Sequence, residues 1–460
     1  MRLSFARFVL VSVTTTWTAC AGHAQQSITL YDKGDYAGSL RAAAEGLSAY
    51  PDDDALWGMR VRAALAVGDG TAVAEAYGAY VAHRGDDDHE LLRDLSEATL
   101  WQALSSPSVV LKIRAIRAVE ELEISSLADD VAKRLGDDDD RVAATAAVAV
   151  LHGYHAALEV ADQMLHSENP EARRIALEGV AKKIGKLAIA DIETAANDRD
   201  ARVRATAVRW LGEYKDKDAV EVCTQRLHDR DAGVRAAAVV ALAQIGLGDP
   251  RAAAKVALAD HQLTVRLAGV RVLAMLGDDD PLVALASDPD PVVALAAAIA
   301  VKQAHPGLVQ TAVQRALLAP DWTTRAGAIN QLAQALGKDA AIAAAKPLLA
   351  DPELGVRLAA TRVLVHAGDR ADAMPVLEAA LATRDLEAAA DLAALGDARA
   401  LHVLAELASD PKRTPEQRVV AVAAHRIARQ VTPALVAALA DPSGLVRVEA
   451  AATLGALAKH

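Results

Sequence analysis

One pattern recurs along most of this chain and limits what it can fold into. It reads DRDARVRATAVRWLG at 198–212, DRDAGVRAAAVVALA at 229–243, DPELGVRLAATRVLV at 351–365 and DPSGLVRVEAAATLG at 441–455. Taking the residue just before the Arg as an anchor, copies fall at Leu111, Val142, Ala172, Val203, Val234, Val265, Val293, Thr324, Val356, Leu386, Gln417 and Val446. The intervals run from 28 to 32 residues, and six of the eleven are 31. A fixed period of this length marks stacked supersecondary units, none of which buries its apolar face alone.

The period within each copy is helical. Four residues past the anchor stands Ala in eleven of twelve copies, from Ala115 through Ala390 to Ala450, with Gly269 in the twelfth. Four further on comes a mostly aliphatic residue such as Leu211, Leu242 or Leu364. Spacing of zero, four and eight is one stripe of a helix, and a small residue at its middle lets neighbouring helices approach closely. An Asp or Ser precedes each anchor helix, often with Pro next, as in Asp288-Pro289, Asp351-Pro352, Asp410-Pro411 and Asp441-Pro442. These predict an Asp cap and a Pro in the first helical turn. A second amphipathic run, such as 219–229 or 398–410, lies between copies. Two helices and two short loops fill each unit. Composition agrees: 53% of residues are hydrophobic but only 3% aromatic, which suits Ala-, Leu- and Val-packed helices and not a β-sandwich.

The unit resembles a HEAT repeat, in the short form found in the phycobilisome-lyase-like HEAT group. The resemblance covers 105–460, about twelve repeats, and implies an all-α superhelical solenoid of stacked hairpins. The family's signature is an Asp in the turn and an Arg six residues on. Here it stands as Asp198/Arg204, Asp229/Arg235, Asp260/Arg266, Asp351/Arg357 and Asp441/Arg447, with weaker versions at Ser106/Lys112 and Ser167/Arg173. The resemblance implies that these side chains form a structural ladder along the stack.

Residues 28–100 differ. They hold five of the seven tyrosines and Trp57. Gly34-Asp35-Tyr36, Ala44, Leu47 and Tyr50-Pro51 resemble a TPR, and Gly34-Asp35 recurs 34 residues later as Gly68-Asp69. Two TPR-like hairpins are expected, continued into the stack by a helix over 91–104.

The first residues read as an export signal. Arg2 and Arg7 precede a short apolar stretch from Phe8 to about Val13, then small residues. That stretch is too short to span a bilayer, which takes ~20 residues. Cleavage falls before Cys20, with lipidation of that Cys, or after Ala24. Trp17-Thr18-Ala19-Cys20 resembles a bacterial lipobox, although Trp17 stands where the family prefers an aliphatic residue. The segment addresses the chain to the periplasm, or to the periplasmic face of the outer membrane as a lipoprotein.

Little else carries chemistry. The only other cysteine is Cys223, so the mature chain has no disulfide framework, and the thiol is expected to be buried and inert. Acidic runs at 52–54, 86–88, 137–140 and 278–280 lack calcium-loop spacing and read as loop and cap residues. His152 and His155 have no third metal ligand nearby. Metalloprotease, nucleophile-elbow and phosphate-loop patterns are missing, and nothing points to a cofactor. A formal charge of −12 disfavours a nucleic-acid partner.

One column stands apart. Six residues past the anchor come Arg117, Arg209, Arg271 and Arg362. In a HEAT-like stack this second helix lines the concave face, so the four are candidate contacts for an acidic protein or peptide partner. The expected function is a non-catalytic scaffold outside the cytoplasm. Bilin lyase-like activity, borrowed from the resembling group, and nucleic-acid binding are the alternatives. The last copy ends without an obvious polar cap, which raises end-to-end association between molecules.

Overall fold

A computed structural model describes residues 21–459. Cys20 and the rest of the export segment up to it lie outside the described residues. Those described form helices and connecting turns, with no strand among them. They divide into two compact units. One joins residues up to 134 with those from 380 onward, and the other spans 135–379.

In the first unit, five helices come before the repeats: Ala21–Asp32, Tyr36–Ala49, Asp54–Val67, Gly70–Arg84 and His89–Leu104. The acidic runs of this segment start helices. Asp53 accepts from the backbone N–H of Ala55 at 2.9 Å and of Leu56 at 3.2 Å. Asp88 caps through Leu91 at 3.0 Å and also takes the Tyr80 hydroxyl at 2.8 Å. Tyr77 donates to Asp87 at 2.5 Å. Trp57 stacks on Tyr80 with centroids 5.9 Å apart and donates its indole N–H to the Pro51 carbonyl at 2.7 Å. Four of the aromatic residues that set this segment apart in sequence, Tyr31, Trp57, Tyr77 and Tyr80, are therefore buried in its core.

The last helix of the chain, Gly444–Leu457, packs in the same unit against His89–Leu104 and Val109–Glu121. Ser96 donates to the Ala451 carbonyl at 2.7 Å, across 355 residues of sequence. Arg426 pairs with Glu121 at 2.7 Å and Arg114 with Glu449 at 3.5 Å. The apolar face of the last copy is thus covered by this chain's own N-terminal helices. This corrects the expectation of an uncapped end: the cap is an earlier segment of the same chain, which no local pattern near 454–460 shows.

The second unit is a run of hairpins whose second helices stack in register, among them Pro170–Ile184, Ala201–Glu213, Ala232–Ile245 and Leu263–Leu276. Along the chain, ten of the eleven column alanines are at most 3% exposed. Gly269 serves as the twelfth for a steric reason. A Cβ there would meet the Ala254 carbonyl oxygen at 3.0 Å and Leu258 Cγ at 3.1 Å.

Two local expectations need correction. The turn Asp does not cap its helix. Asp288, Asp351 and Asp441 each accept the backbone N–H two residues on, at 2.7–2.9 Å, in an Asx turn. The helix starts two residues later, at caps such as Asp200, Asp231 and Asp290. Pro289, Pro352, Pro411 and Pro442 therefore sit in the turn and not in the first helical turn. The tenth copy is also out of register. Asp385 caps its helix through Ala388 N–H at 2.9 Å, and this moves the buried stripe to Ala388 and Leu392, both 0% exposed. Leu386 and Ala390, taken from spacing, are only half-buried.

Candidate functional site

The Asp and Arg columns meet, but between copies as well as within them. Arg204 shows the arrangement. Its Nε and Nη2 each donate to an Asp229 carboxylate oxygen at 2.8 Å. Its Nη1 donates to the carbonyls of Asp198 at 2.8 Å and Arg199 at 3.2 Å. Only a guanidinium supplies donors in a planar fork that holds a carboxylate on one edge and backbone carbonyls on another. The six-residue pair of the sequence is thus joined through the Asp backbone, while the Asp carboxylate serves the preceding copy's Arg. Arg173 with Asp198, Arg235 with Asp260, and Arg325 with Asp351 repeat the two-pronged contact at 2.7–2.9 Å. Arg266 reaches Asp290 through Nη2 alone at 2.7 Å. Arg418 donates to Asp441.

Two of the expected ladder arginines, Arg357 and Arg447, require correction. Arg357 is only half-buried and pairs with no carboxylate among the described residues. It keeps the within-copy half alone: its Nη1 donates to the carbonyls of Asp351 at 2.7 Å and Pro352 at 2.9 Å. The Asp351 carboxylate, which the spacing assigns to Arg357, is held by Arg325. No carboxylate replaces it, because Thr383 stands two residues before the capping Asp385, where the turn Asp would be, and 379–384 contain no acid. The pair Asp351/Arg357 is therefore a backbone contact and not an ion pair. Arg447 is likewise confined to backbone carbonyls, those of Asp441 and Pro442.

Arg325 and Arg418 were not among the sequence pairs, because Ala319 and Lys412 stand where their own copies would carry the Asp. The signal that finds them is the Arg directly after the anchor, read forward to the next turn Asp. Burial of Asp229 disfavours its charge, but hydrogen bonds from Arg204 and from the Asp231 N–H more than offset this, and its pKa falls below the usual carboxylate range. Arg235 does the same for Asp260 and Arg325 for Asp351.

The Arg column is split. Arg209 and Arg271 line one open groove of about 570 Å³ across Ala201–Glu213, Ala232–Ile245 and Leu263–Leu276. Its floor is small side chains, Ala205, Ala236, Ala237 and Ala268, and Glu213 and Gln244 stand at its border. Arg209 is exposed, pairs with Glu178, and lies 5.0 Å over the Trp210 ring. Trp210 in turn donates to Glu178 at 3.2 Å. Arg271 is exposed and has no ion pair among the described residues. Arg117 is exposed in the other unit, and Arg362 is half-buried on Leu354–Ala367, away from this groove.

The remaining candidates are dispersed. His152 and His155 are both exposed, and no group of three His, Cys, Asp or Glu among the described residues has metal-ligand geometry. Cys223 is fully buried, and burial pushes its thiol up to about 12. No helix among the described residues is long and apolar enough to cross a membrane.

The family model for HEAT repeats matches residues 157–222 and 189–274, the region of the best-formed ladder. No curated protein sequence matches this chain. Among solved structures it is similar to the Escherichia coli protein YibA, at 18% identity over 53% of this chain and 91% of that one, with a TM-score of 0.35. It is also similar to the complex of CpcE and CpcF of phycocyanin lyase from a Nostoc species, at 20% identity over 48% and 93%, with a TM-score of 0.31. An engineered protein matches at 22% identity over 79% and 98%, with a TM-score of 0.28.

Proposed function

We propose that this HEAT-repeat protein is an exported, non-catalytic scaffold that takes an acidic protein segment along the groove bearing Arg209 and Arg271. One observation carries the reading: two recurrent, exposed arginines border a floor of small side chains across three consecutive second helices. Small residues leave room for a partner's backbone, and the guanidinium groups offer forked contacts to carboxylates. Arg209 already shares Glu178, so a partner carboxylate competes with that pair, whereas Arg271 is open. An acidic chain with Arg at only four of twelve column positions suits a protein partner better than a phosphate backbone. Export rests on the first residues, with Cys20 or the residue after Ala24 as the mature N-terminus.

Photo-crosslinking tests the groove. A benzoylphenylalanine at Ala237, used with cell-envelope extract, is expected to trap a discrete protein. The adduct should weaken at high salt and disappear in the Arg209→Ala/Arg271→Ala variant. Adducts unchanged by that variant, or matched by a probe placed at exposed Leu187, overturn the reading. Mass analysis of the mature N-terminus tests export. A chain that keeps Met1 sinks that part, and a new absorbance band after incubation with a bilin sinks the non-catalytic part.

A further inference from the structure

The arginine ladder has a seam where its carboxylate is missing and a cavity stands in its place. Arg173, Arg204, Arg235, Arg325 and Arg418 each lie on the anchor helix of one copy and reach the turn Asp of the next. The last such helix, Gly444–Leu457, is followed in the stack by the first copy, whose anchor helix is Val109–Glu121. Gly444 lies so close to Leu111 that a Cβ there would stand 2.4 Å from Leu111 Cδ1, which places the two helices side by side. The Arg at this seam is Arg447. It makes the within-copy half of the ladder, donating through Nη1 to the Asp441 carbonyl at 2.6 Å and to the Pro442 carbonyl at 3.1 Å. The first copy's turn position, where an Asp would complete the other half, is Ser106.

Arg447 and Ser106 border the same cavity of about 370 Å³. Gln102 lines it as well, and its Nε2 is buried with no hydrogen-bond partner. Ser106 Oγ accepts the Ser108 N–H at 3.1 Å, which leaves its own proton to donate. Leu65, Leu439 and Val448 supply apolar wall. Asp441 also borders the space, but its carboxylate is engaged by Arg418 and by the Ser443 N–H at 2.7 Å. Arg447, Ser106 and Gln102, whose amide N–H is orphaned, thus border one half-enclosed, partly apolar space. A guanidinium pairs most strongly with a carboxylate, and a serine hydroxyl is a further donor to one.

We propose that this cavity binds an aliphatic carboxylate, which takes the place of the ladder Asp. The carboxylate belongs to a small organic acid or to the end of a peptide; both present the same two oxygens to Arg447 and an apolar stem to the wall. The proposal is independent of the groove at Arg209 and Arg271.

The test uses the full mature chain and its thermal unfolding midpoint at matched ionic strength, with chloride as the baseline. Succinate and acetyl-triglycine are the probes, with inorganic phosphate as the comparison anion. At least one carboxylate is expected to raise the midpoint by about 2–4 °C at saturation, and which one responds identifies the source. Ser106→Asp restores the ladder. It should raise the midpoint without ligand and abolish the response, and Arg447→Gln should abolish the response as well. If Arg447→Gln does not fold, Ser106→Asp alone decides. A wild-type midpoint equal in carboxylate and chloride overturns the proposal. So does a phosphate response as large as the carboxylate one, or a Ser106→Asp variant that responds as fully as the wild type.

Discussion

At the scale of single residues, the chain separates groups that hold the fold from groups left to meet something else. His425 belongs to the first kind. It is 0% exposed, with Nδ1 3.0 Å from the Ala421 carbonyl and Nε2 3.3 Å from the Thr432 hydroxyl. Burial lowers its pKa, against smaller opposing contributions from its backbone hydrogen bonds. Burial therefore favours the neutral imidazole, in which Nδ1–H donates to the Ala421 carbonyl and Nε2 is free to accept from Thr432. Below the ordinary histidine value near 6.5 the unfolded chain binds a proton that the folded chain refuses. Its contribution is present above about pH 6.5 and is lost as pH falls, by up to ~1.4 kcal/mol per pH unit. Urea midpoints at pH 7.5 and 5.5 should therefore fall further for the wild type than for His425→Gln, which removes the titration. Equal falls would place the acid sensitivity elsewhere. Nothing around His425 in the sequence signals this, because the groups that bury it come from other helices.

At the scale of helices, close approach between neighbouring copies is the organising demand, and glycine marks where it is tightest. A Cβ on Gly212 would lie 2.6 Å from Ala241 Cα and 2.8 Å from Ala241 Cβ. Neither atom can rotate away, so Gly212→Ala must push Ala201–Glu213 and Ala232–Ile245 apart. A loss of about 1–3 kcal/mol is expected in chemical denaturation, against almost none for Gly136→Ala, whose Cβ meets nothing within 4 Å. The Ala column was legible in the sequence for the same reason: residues four apart on a helix share a face whatever surrounds them. The direction of the ladder was not. Spacing shows that Asp198 and Arg204 recur together, but not that the carboxylate Arg204 holds is Asp229. For the same reason spacing cannot show that Arg357, six residues past a perfectly placed Asp351, has no carboxylate of its own. The tenth copy failed in a related way. An Ala four residues past an aliphatic residue is common in an Ala-rich chain, and the capping Asp385, which sets the helix start, outweighs it. Of the Arg column, spacing gave the four positions, but only the packing of three successive helices places Arg209 and Arg271 on one groove.

At the scale of the whole chain, the first unit is built from both ends of the sequence, and its stability depends on a contact that no local reading reveals. His89–Leu104 has one side against the last helix, where Ser96 meets Ala451 and where a Cβ on Gly455 would come within 2.8 Å of Ser96 Oγ. Each helical hairpin buries its apolar face only against a neighbour, so removing the neighbour exposes that face. Truncation after residue 440 takes away Gly444–Leu457, and with it the partners of Arg114 and Ser96. Amide hydrogen exchange should then accelerate in His89–Leu104 and Val109–Glu121. Ala201–Glu213, which belongs to the other unit, serves as the internal reference and should change little. The uncovered face is also large and apolar, so the truncated chain should self-associate at concentrations where the full chain does not, as read by light scattering. Unchanged protection in His89–Leu104 would mean that the N-terminal helices hold together on their own core of Trp57, Tyr77 and Tyr80, with the last copy adding cover but not stability.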